Sequence, residues 1–150
     1  MIHGIDTSFL LALEIDSHPD HAEAHSLLAK LVSQGDRLAL TPQVLDEYLH
    51  VATDQKRFFP APNMVAARLK MEEWWLAKDV EHVFPTDASV QLFLEWVDRY
   101  RLGRKRLLDT MLATTYLLNG VSSILTFNPK DFSVFGCFTC PDLVTTGANP

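Results

Sequence analysis

The most informative part of the sequence is LLDTMLATTYLLNGVSSILTFNPKDF, residues 107–132. Residues 107–119 are almost entirely apolar, which is typical of a buried helix, and Gly120 is of the residue type that most often follows a helix end. The apolar run at 123–127 has the length of a buried strand. A buried helix that leads directly into a buried strand indicates helices packed against a sheet.

Three further apolar segments predict strands, at residues 2–6, 37–40 and 80–84. Segments with helical periodicity lie between them. Since strands that alternate with helices form parallel sheets covered on both faces, the sequence predicts an α/β fold. We expect three layers, α/β/α, around a central and mostly parallel sheet of about four to five strands.

Proline and glycine residues mark most of the predicted helix boundaries. Pro19 is a good first residue for the second helix, and Gly35 ends it. Pro42 opens the third helix, a fourth covers residues 64–78, and Thr86 can cap the fifth. Apolar residues at helical spacing predict the inner face of this fifth helix, namely Val90, Phe93, Leu94 and Val97.

The composition is that of one average globular domain. The chain has 150 residues, of which 47% are apolar and 21% charged, and this length leaves no room for a second full core. We expect a single domain, 1–150, whose last part, about 137–150, forms a strand and a polar tail. No stretch reaches the roughly 18 apolar residues of a membrane span. Because two cysteines make no disulfide framework, we expect a cytoplasmic protein.

The net charge of −6 argues against a protein that coats nucleic acid through positive charge. It leaves room for an enzyme that acts on nucleic acid, because a metal site is built from carboxylates. The acids that follow predicted strands, or lie in helices beside them, are Asp6, Glu47, Asp109 and Asp131. Since parallel strands share one carboxyl edge, these side chains can converge there. Clustered acids without a matching set of histidines or cysteines are typical of a Mg²⁺ site.

Each of these acids also has a structural interpretation. A lone carboxylate in an apolar helix needs a partner, and for Asp109 this is a metal ion, Arg106 or the helix N-terminus. Helical spacing places Glu47 toward the core, where an inward ion pair is the alternative. Asp6 and Asp131 could instead cap the turns that follow them.

Three stretches of the chain together resemble the PIN domain, and specifically the VapC-type toxin ribonucleases. They are IDTS at 5–8, LTPQVLDEYLHV at 40–51 and the segment 107–132. The last is the most specific, since it combines an Asp in a helix, a Gly, an apolar strand and Thr-x-Asn-x-x-Asp-Phe. The resemblance covers nearly the whole chain. It implies a three-layer PIN-like fold and an endoribonuclease that depends on Mg²⁺ or Mn²⁺.

The resemblance also implies roles for individual residues. Asp6 and Asp109 match acids that would ligate the metal directly, while Glu47 and Asp131 would hold its waters or a second ion. Many members of the family have an acid where this chain has Asn128. Whether Asn128 or Asp131 fills the fourth position therefore stays open. Two residues match hydroxyl positions that flank the site, Thr7 and Thr126.

A basic cluster precedes the helix that carries Asp109. It holds five of the 13 basic residues, namely Arg99, Arg101, Arg104, Lys105 and Arg106. In an acidic protein such a cluster could bind the phosphate backbone of RNA, with Arg104, Lys105 and Arg106 as the candidate contacts. The alternative is a solvated loop.

Two other motifs give weaker indications of a metal. His21 and His25 have a spacing that can bind Zn²⁺ on a helix, but no further ligand motif accompanies them. CFTC at 137–140 is a single cysteine pair, which is weak evidence for zinc or redox chemistry. Exposed histidines and ordinary cysteines are the alternative interpretation of both motifs.

Two adjacent tryptophans, Trp74 and Trp75, point about 100° apart on a helix. They are either both core or partly exposed as part of a partner surface. The neighbouring Phe58, Phe59 and Met71 favour an apolar groove. The resemblance implies an antitoxin partner and a homodimer, and such a groove could serve either.

The sequence thus predicts a nuclease in which a metal-activated water hydrolyses RNA, acting as the toxin of a type II toxin–antitoxin pair. One alternative is a phosphatase with Asp6 as nucleophile, although that chemistry usually has a second acid two residues later, where this chain has Ser8. The other is a PIN-like module with little or no activity that binds RNA or protein.

Overall fold

The structure is a computed structural model that describes residues 1–142. Four parallel strands form one sheet in the order β3-β2-β1-β4. The strands are β1 (Ile2–Ile5), β2 (Arg37–Leu40), β3 (Val80–His82) and β4 (Ser123–Leu125). The predicted α/β fold with a parallel sheet is confirmed. Strands β3 and β4 each end two residues before the end of the apolar run that predicted them.

Seven α-helices cover the sheet in the described part of the chain. They are α1 (Thr7–Glu14), α2 (His21–Ser33), α3 (Pro42–Ala52), α4 (Met64–Leu76), α5 (Asp87–Arg99), α6 (Leu107–Leu118) and α7 (Lys130–Ser133). A 3₁₀ turn, Arg104–Arg106, leads into α6. Among the differences from the sequence prediction, α2 begins at His21 rather than at Pro19, α4 ends at Leu76 rather than at 78, and the short helix α7 was not predicted.

All four strands are parallel, but the side on which the chain adds new strands to the sheet changes at β1. From β1 the chain adds β2 and then β3 on one side, and it returns to place β4 on the other side. Helices α1 to α4 pack against one another in one layer, and α5, α6 and α7 form the other. Ligands of open parallel sheets bind outside the carboxyl ends of the strands at such a reversal. The residues that follow β1 and β4 are therefore the first place to look for a site.

The tightest packing in the core joins α6 to the middle of the sheet. Gly4 pairs with Ala39 on β2 and with Ile124 on β4, so it lies at the centre of three strands. A Cβ atom on Gly4 would lie 2.7 Å from the ring of Tyr116, which is fully buried. The Tyr116 hydroxyl lies 2.6 Å from the carbonyl oxygen of Ile5. Only glycine at position 4 leaves room for this ring, which holds α6 close to the ends of β1 and β2.

The predicted inner face of α5 is wrong at two of its four residues, while the other two, Phe93 and Val97, are half-buried. Val90 and Leu94 are exposed, and the buried positions of this helix are Ser89 and Trp96. Ser89 is buried because it closes a capping box with Thr86, and Trp96 stacks on Phe135 with ring centroids 4.4 Å apart. Helical spacing alone could not distinguish an apolar stripe that faces the core from one on the surface.

The C-terminal part of the described chain adds a single bridge to the sheet. Thr139 pairs with Ser123 in a parallel arrangement. The rest of the predicted C-terminal strand and tail lies at 143–150, outside the described residues. Within residues 1–142, no helix is both long enough and apolar enough to span a bilayer.

Candidate active site

Asp6 directly follows β1 and carries the most buried carboxylate among the four candidate acids. Its Oδ2 atom accepts hydrogen bonds from Ser8 Oγ at 2.7 Å and from Thr126 Oγ1 at 2.8 Å. Asp6 occupies the N-cap position of α1, but among the described residues its side chain makes no cap hydrogen bond. The carboxylate thus accepts from one hydroxyl in the first turn of α1 and from one that directly follows β4, so it links the ends of two neighbouring strands.

Glu47 reaches the same edge from α3. Its Oε2 atom accepts a hydrogen bond of 3.0 Å from Thr7 Oγ1, across a separation of 40 residues. Thr41 caps α3, and Pro42 occupies its first turn, so the helix starts directly after β2. With this start, Tyr48 turns into the core while the neighbouring Glu47 is half-buried beside the site. Asp46 on the same helix is exposed.

Asp109 and Asp131 approach from the other helical layer, and Arg106 lies between them. Arg106 Nε is 3.5 Å from Asp109 Oδ2, and Arg106 Nη1 is 3.3 Å from Asp131 Oδ1. Arg106 Nη2 also donates a hydrogen bond to the main-chain oxygen of Asp131. The structural alternative for Asp109, an ion pair with Arg106, is therefore present in the structure. Asp131 also has an ionic partner, and among the described residues its side chain caps no helix.

One cavity of about 170 Å³ unites these residues at the carboxyl edge of the sheet. All four candidate acids line it, together with Thr7, Ser8, Leu11, Val51, Arg57 and Asn128. Asn128 is exposed, and its main-chain N–H donates to Thr126 Oγ1 at 2.9 Å. Larger clefts of about 400 Å³ and 370 Å³ lie elsewhere on the surface. We identify the smaller cavity as the site because only a convergence of functional groups, and not volume, indicates chemistry.

The electrostatic environment of the cavity is strongly negative. Burial, together with the like charges of Asp131 and Asp6, raises the pKa of Asp109 to about 6, and Arg106 only partly opposes this. Burial also raises the pKa of Asp6, against the hydrogen bonds from Ser8 and Thr126. The pKa of Glu47 is raised by burial and by the charge of Asp6, although Thr7 lowers it. A cation bound in the cavity would relieve this repulsion.

Two polar residues that line the cavity, Ser8 and Arg57, were not singled out from the sequence as parts of the site. Ser8 donates to Asp6 and accepts a 3.0 Å hydrogen bond from the main-chain N–H of Phe127. The position of Ser8 two residues after Asp6 could have indicated this role. A helix that starts directly after a strand places the side chains of its first turn near the end of that strand. Arg57 lies in the segment between α3 and α4 and is exposed. No local pattern distinguished Arg57 from other surface arginines.

The basic cluster divides in the structure. Arg104 and Lys105 are exposed in the 3₁₀ turn that precedes α6. Arg106 is half-buried and pairs with acids of the cavity. Arg99 pairs with Glu95 one helical turn earlier. Among the described residues, three members of the cluster are exposed and form no ion pair, namely Arg101, Arg104 and Lys105, and the last two lie in the turn that leads into α6.

The structure gives no support to the two weaker metal motifs, the His21–His25 pair and the cysteines at 137 and 140. His21 Nδ1 lies 2.8 Å from the carbonyl oxygen of Ala12, and His25 Nε2 lies 2.9 Å from that of Leu13, so both rings contact the end of α1. Cys137 and Cys140 are free thiols. Within residues 1–142, no group of three or more His, Cys, Asp or Glu side chains is arranged to hold one metal ion together.

The adjacent tryptophans have separate environments. Trp74 Nε1 donates a 2.7 Å hydrogen bond to Glu14 Oε1. Trp75 stacks on His82 with ring centroids 3.7 Å apart, and it lines an apolar groove between α3 and α4. The lining of this groove is Leu45, Leu49, Arg68, Met71, Glu72, Trp75 and Leu76. The predicted groove therefore exists at Met71 and Trp75, while Phe58 and Phe59 lie outside its lining.

Comparison with known families assigns the chain. The family model of the PIN domain matches residues 5–136, from the end of β1 through α7, and this range includes all four candidate acids. The chain belongs to the PIN domain family. The resemblance seen in the sequence is thus confirmed at the level of the family. No curated protein sequence matches the chain.

Solved structures with the same fold include chains of toxin–antitoxin complexes. VapBC-1 from nontypeable Haemophilus influenzae has a TM-score of 0.68 at 20% identity, over 97% of this chain and 100% of that chain. VapC20 from Mycobacterium tuberculosis, described as a toxin that cleaves the sarcin–ricin loop, has a TM-score of 0.68 at 24% identity, over 91% and 96%. VapBC2 from Rickettsia felis, bound to a promoter DNA fragment, has a TM-score of 0.65 at 18% identity, over 94% and 98%. This PIN domain therefore has the fold of those chains.

The donor chemistry of the cavity fits a hard divalent cation. Mg²⁺ prefers oxygen ligands and is often held by one or two carboxylates, with water completing its coordination. Such an ion does not need three protein ligands in place at once, so the spacing of the acids is compatible with it. Burial, and after it the charges of Asp131 and Asp6, raise the pKa of Asp109, and a bound cation would oppose both effects.

Proposed function

We propose that this PIN domain is a metal-dependent endoribonuclease that hydrolyses phosphodiester bonds of RNA. The observation that carries the proposal is the convergence of four carboxylates on one cavity at the carboxyl edge of the sheet, one directly after β1 and the others on α3, α6 and α7. Mg²⁺, or Mn²⁺ in its place, would supply Lewis-acid polarisation of the phosphoryl oxygen and a water of lowered pKa.

The residues of the chain have distinct tasks in this proposal. Asp6 and Asp109 would hold the cation, and Glu47 and Asp131 would accept hydrogen bonds from its waters or hold a second ion. Ser8 and Thr126 fix the Asp6 carboxylate by donating to Oδ2. Thr7 fixes Glu47 in the same way. These hydroxyl groups keep the acids in place before substrate arrives, which lowers the reorganisation that the reaction requires.

The structure favours this mechanism over a phosphatase in which Asp6 is the nucleophile. Oδ2 of Asp6 already accepts two hydrogen bonds, and the carboxylate is almost fully buried. The residue two positions later, Ser8, uses its proton to hold Asp6. A phosphatase of that kind needs a free acid at this place to protonate the leaving group. An activated water does not require this second acid.

A cleavage assay with adjacent carboxyl variants tests the proposal. Glu47→Gln removes a charge from the cavity, while Asp46→Asn removes the same charge from the exposed side of α3. We expect Glu47→Gln to reduce cleavage of a single-stranded RNA about 100-fold or more, in line with the loss of one group that acts on the reacting atoms. Asp46→Asn should retain it. Bound but uncleaved RNA with the wild-type protein would support the alternative of an inactive binding module.

We further propose that the protein is the toxin of a type II toxin–antitoxin pair. The groove between α3 and α4 supports an antitoxin partner, since a cavity of about 370 Å³ there is lined mainly by apolar side chains. Induced expression in a bacterial host should arrest growth, and co-expression of a small protein encoded next to this gene should restore it. Growth arrest that persists in Asp109→Asn would contradict a toxic nuclease.

A homodimer is the third part of the proposal. Exposed apolar side chains on α5 and on the segments beside it support an interface between two copies. They include Phe84, Val90, Leu94 and Leu118. Light scattering on the purified protein should give twice the mass of the 16.9 kDa chain, and Leu94→Glu should shift it to the monomer. A monomeric wild-type protein would contradict this assembly.

A further inference from the structure

Arg106 is a cation that contacts two acids of the cavity, Asp109 and Asp131, without itself being part of the lining of the cavity. It approaches Asp109 with Nε and Asp131 with Nη1, and its Nη2 donates to the main-chain oxygen of Asp131. One guanidinium therefore joins α6, which carries Asp109, to α7, which carries Asp131. The two carboxylates that it contacts are two of the four that the proposed function assigns to the metal.

The contacts of Arg106 with the carboxylates are loose. The two ion-pair distances are 3.5 Å and 3.3 Å, longer than the roughly 2.7–2.9 Å of a charge-assisted hydrogen bond. Nε is buried, and within the described chain it has no hydrogen-bond partner, although Asp109 Oδ2 is the nearest acid. In this arrangement, neither the N–H groups of the guanidinium nor the oxygens of the two carboxylates have all the hydrogen bonds that they could form. Such an arrangement is suited to exchange rather than to permanent closure of the site.

The charges around the cavity show why exchange would occur. Four carboxylates surround it, while Arg106 brings one positive charge and Arg57 is exposed at its rim. One guanidinium cannot balance four acids, so a divalent cation is still attracted. That cation must nevertheless share Asp109 and Asp131 with Arg106, or take them from it.

We propose that Arg106 is a built-in counter-cation that competes with the divalent metal for Asp109 and Asp131, and thereby positions these two acids and sets the metal affinity of the site. The inference rests on the proposed function, because it assumes that the cavity binds a divalent cation. It assigns Arg106 a role different from that of its exposed neighbours Arg104 and Lys105. Those residues have no contact with the acids of the cavity among the described residues.

The test is a calorimetric titration of Mn²⁺ and of Mg²⁺ into three full-length proteins, the wild type, Arg106→Gln and Arg104→Gln. Each variant removes one positive charge from the same 3₁₀ turn, and only the first removes it from between the acids. We expect Arg106→Gln to bind the metal about tenfold more tightly than the wild type, and Arg104→Gln to differ from it by less than about twofold. Equal affinities of the two variants would overturn the inference. Absence of metal binding by the wild type would contradict the proposed function itself.

A second measurement uses the unaltered protein, so that it stands even if Arg106→Gln fails to fold. The ¹H–¹⁵Nε resonance of Arg106 is followed by NMR as Mg²⁺ is added, with the resonance of Arg68 on α4, which pairs with Glu72, as the internal control. Competition predicts that the Arg106 resonance shifts and saturates at the Kd given by calorimetry, while that of Arg68 stays in place. An Arg106 resonance that does not move while metal binds would show that the guanidinium is only a structural link between α6 and α7.

Discussion

The hydroxyl of Thr126 donates a 2.8 Å hydrogen bond to Oδ2 of Asp6, and these two residues directly follow the neighbouring parallel strands β4 and β1. The main-chain N–H of Asp6 also donates to the carbonyl oxygen of Leu125 at 3.0 Å. The most buried acid of the cavity is thus held by the strand that lies next to it in space and 120 residues away in sequence. This is the point at which the strand order reverses and at which the other three acids converge.

Loss of this hydrogen bond should weaken both the fold and the site. Thr126→Val keeps the shape of the side chain but removes a donor to a buried carboxylate, so we expect the free energy of unfolding to fall by about 1–2 kcal/mol at pH 7.5. Affinity for Mg²⁺ should fall as well, because Asp6 then retains a proton more readily. Urea unfolding in EDTA and calorimetry measure the two effects.

The control for this variant is Thr115→Val. Thr115 is equally buried, but its hydroxyl donates to the main-chain oxygen of Met111 within α6. This change should alter stability without altering metal affinity. If both variants affect metal binding to the same degree, the link between Thr126 and Asp6 has no specific role in the site.

The raised pKa of Asp109 predicts how stability depends on pH. Its value of about 6 in the folded protein lies above the ordinary value of 3.8, so the folded state binds more protons between these limits. Without metal, this residue therefore lowers stability as the pH rises from about 4 to about 6. Asp109→Asn removes that loss. We expect the variant to become more stable than the wild type by about 1–2 kcal/mol above pH 6, after allowance for the partial exposure of the carboxylate.

Denaturation in EDTA at a series of pH values measures this difference, and RNA cleavage in Mg²⁺ measures the other consequence. The same Asp109→Asn variant should be folded and inactive, because a ligand of the metal is lost. A variant that is less stable than the wild type at every pH and still cleaves RNA would show that Asp109 serves only as the ionic partner of Arg106.

The sequence predicted the architecture well because its signals are local. The boundaries of β2 were predicted to the residue, and the strands, capping residues and glycine stops of the other elements lay within a few residues of their predicted positions. The face of α5 was predicted wrongly in part, since Val90 and Leu94 have the spacing of a buried stripe but are exposed. Which apolar face of a helix is covered depends on the partners that tertiary structure brings to it, and local spacing does not record these.

For the candidate site, the sequence indicated which acids come together but not how they contact one another. The convergence of acids after parallel strands follows from topology, and the structure brings all four to one cavity. The partners of those acids depend on the structure in three dimensions. The Arg106–Asp109 pair, three residues apart, was among the partners expected from the sequence, but neither the Thr7–Glu47 pair nor the contact of Arg106 with Asp131 has a pattern that can be read along the chain.

The exposed basic residues before α6 should contribute to RNA binding. Arg104→Ala combined with Lys105→Ala should weaken binding of single-stranded RNA and reduce the slope of log K against log salt by about 1.4, or about 0.7 for each phosphate contact. Metal affinity should change little. The matched control is Arg68→Ala with Lys70→Ala on α4, which removes the same charge at a distance from the cavity. An unchanged salt slope would mean that Arg104 and Lys105 belong to a solvated turn.

The open fourth position of the site can be tested by adding a carboxylate. Asn128 lines the cavity and is exposed, so Asn128→Asp should bind Mg²⁺ several-fold more tightly. It should also destabilise the metal-free protein by about 0.5 kcal/mol through repulsion from the other acids.

Ser133→Asp is the control for this variant, since it adds the same charge on the exposed side of α7, outside the lining of the cavity. Asp131→Asn completes the set, and a role as fourth ligand predicts weaker Mg²⁺ binding. If neither Asn128→Asp nor Asp131→Asn shifts the affinity, the metal is held by Asp6, Glu47 and Asp109, and the turn at 128–131 is structural.

Cleavage of a single-stranded RNA before and after removal of divalent ions tests the central claim most directly. The wild-type protein should cleave the RNA in Mg²⁺, lose this activity in excess EDTA and regain it when Mg²⁺ or Mn²⁺ is restored. The reason is that, in this account, the metal ion bound by the carboxylates activates the attacking water. Asp6→Asn should stay inactive throughout. Undiminished cleavage in excess EDTA would contradict the account.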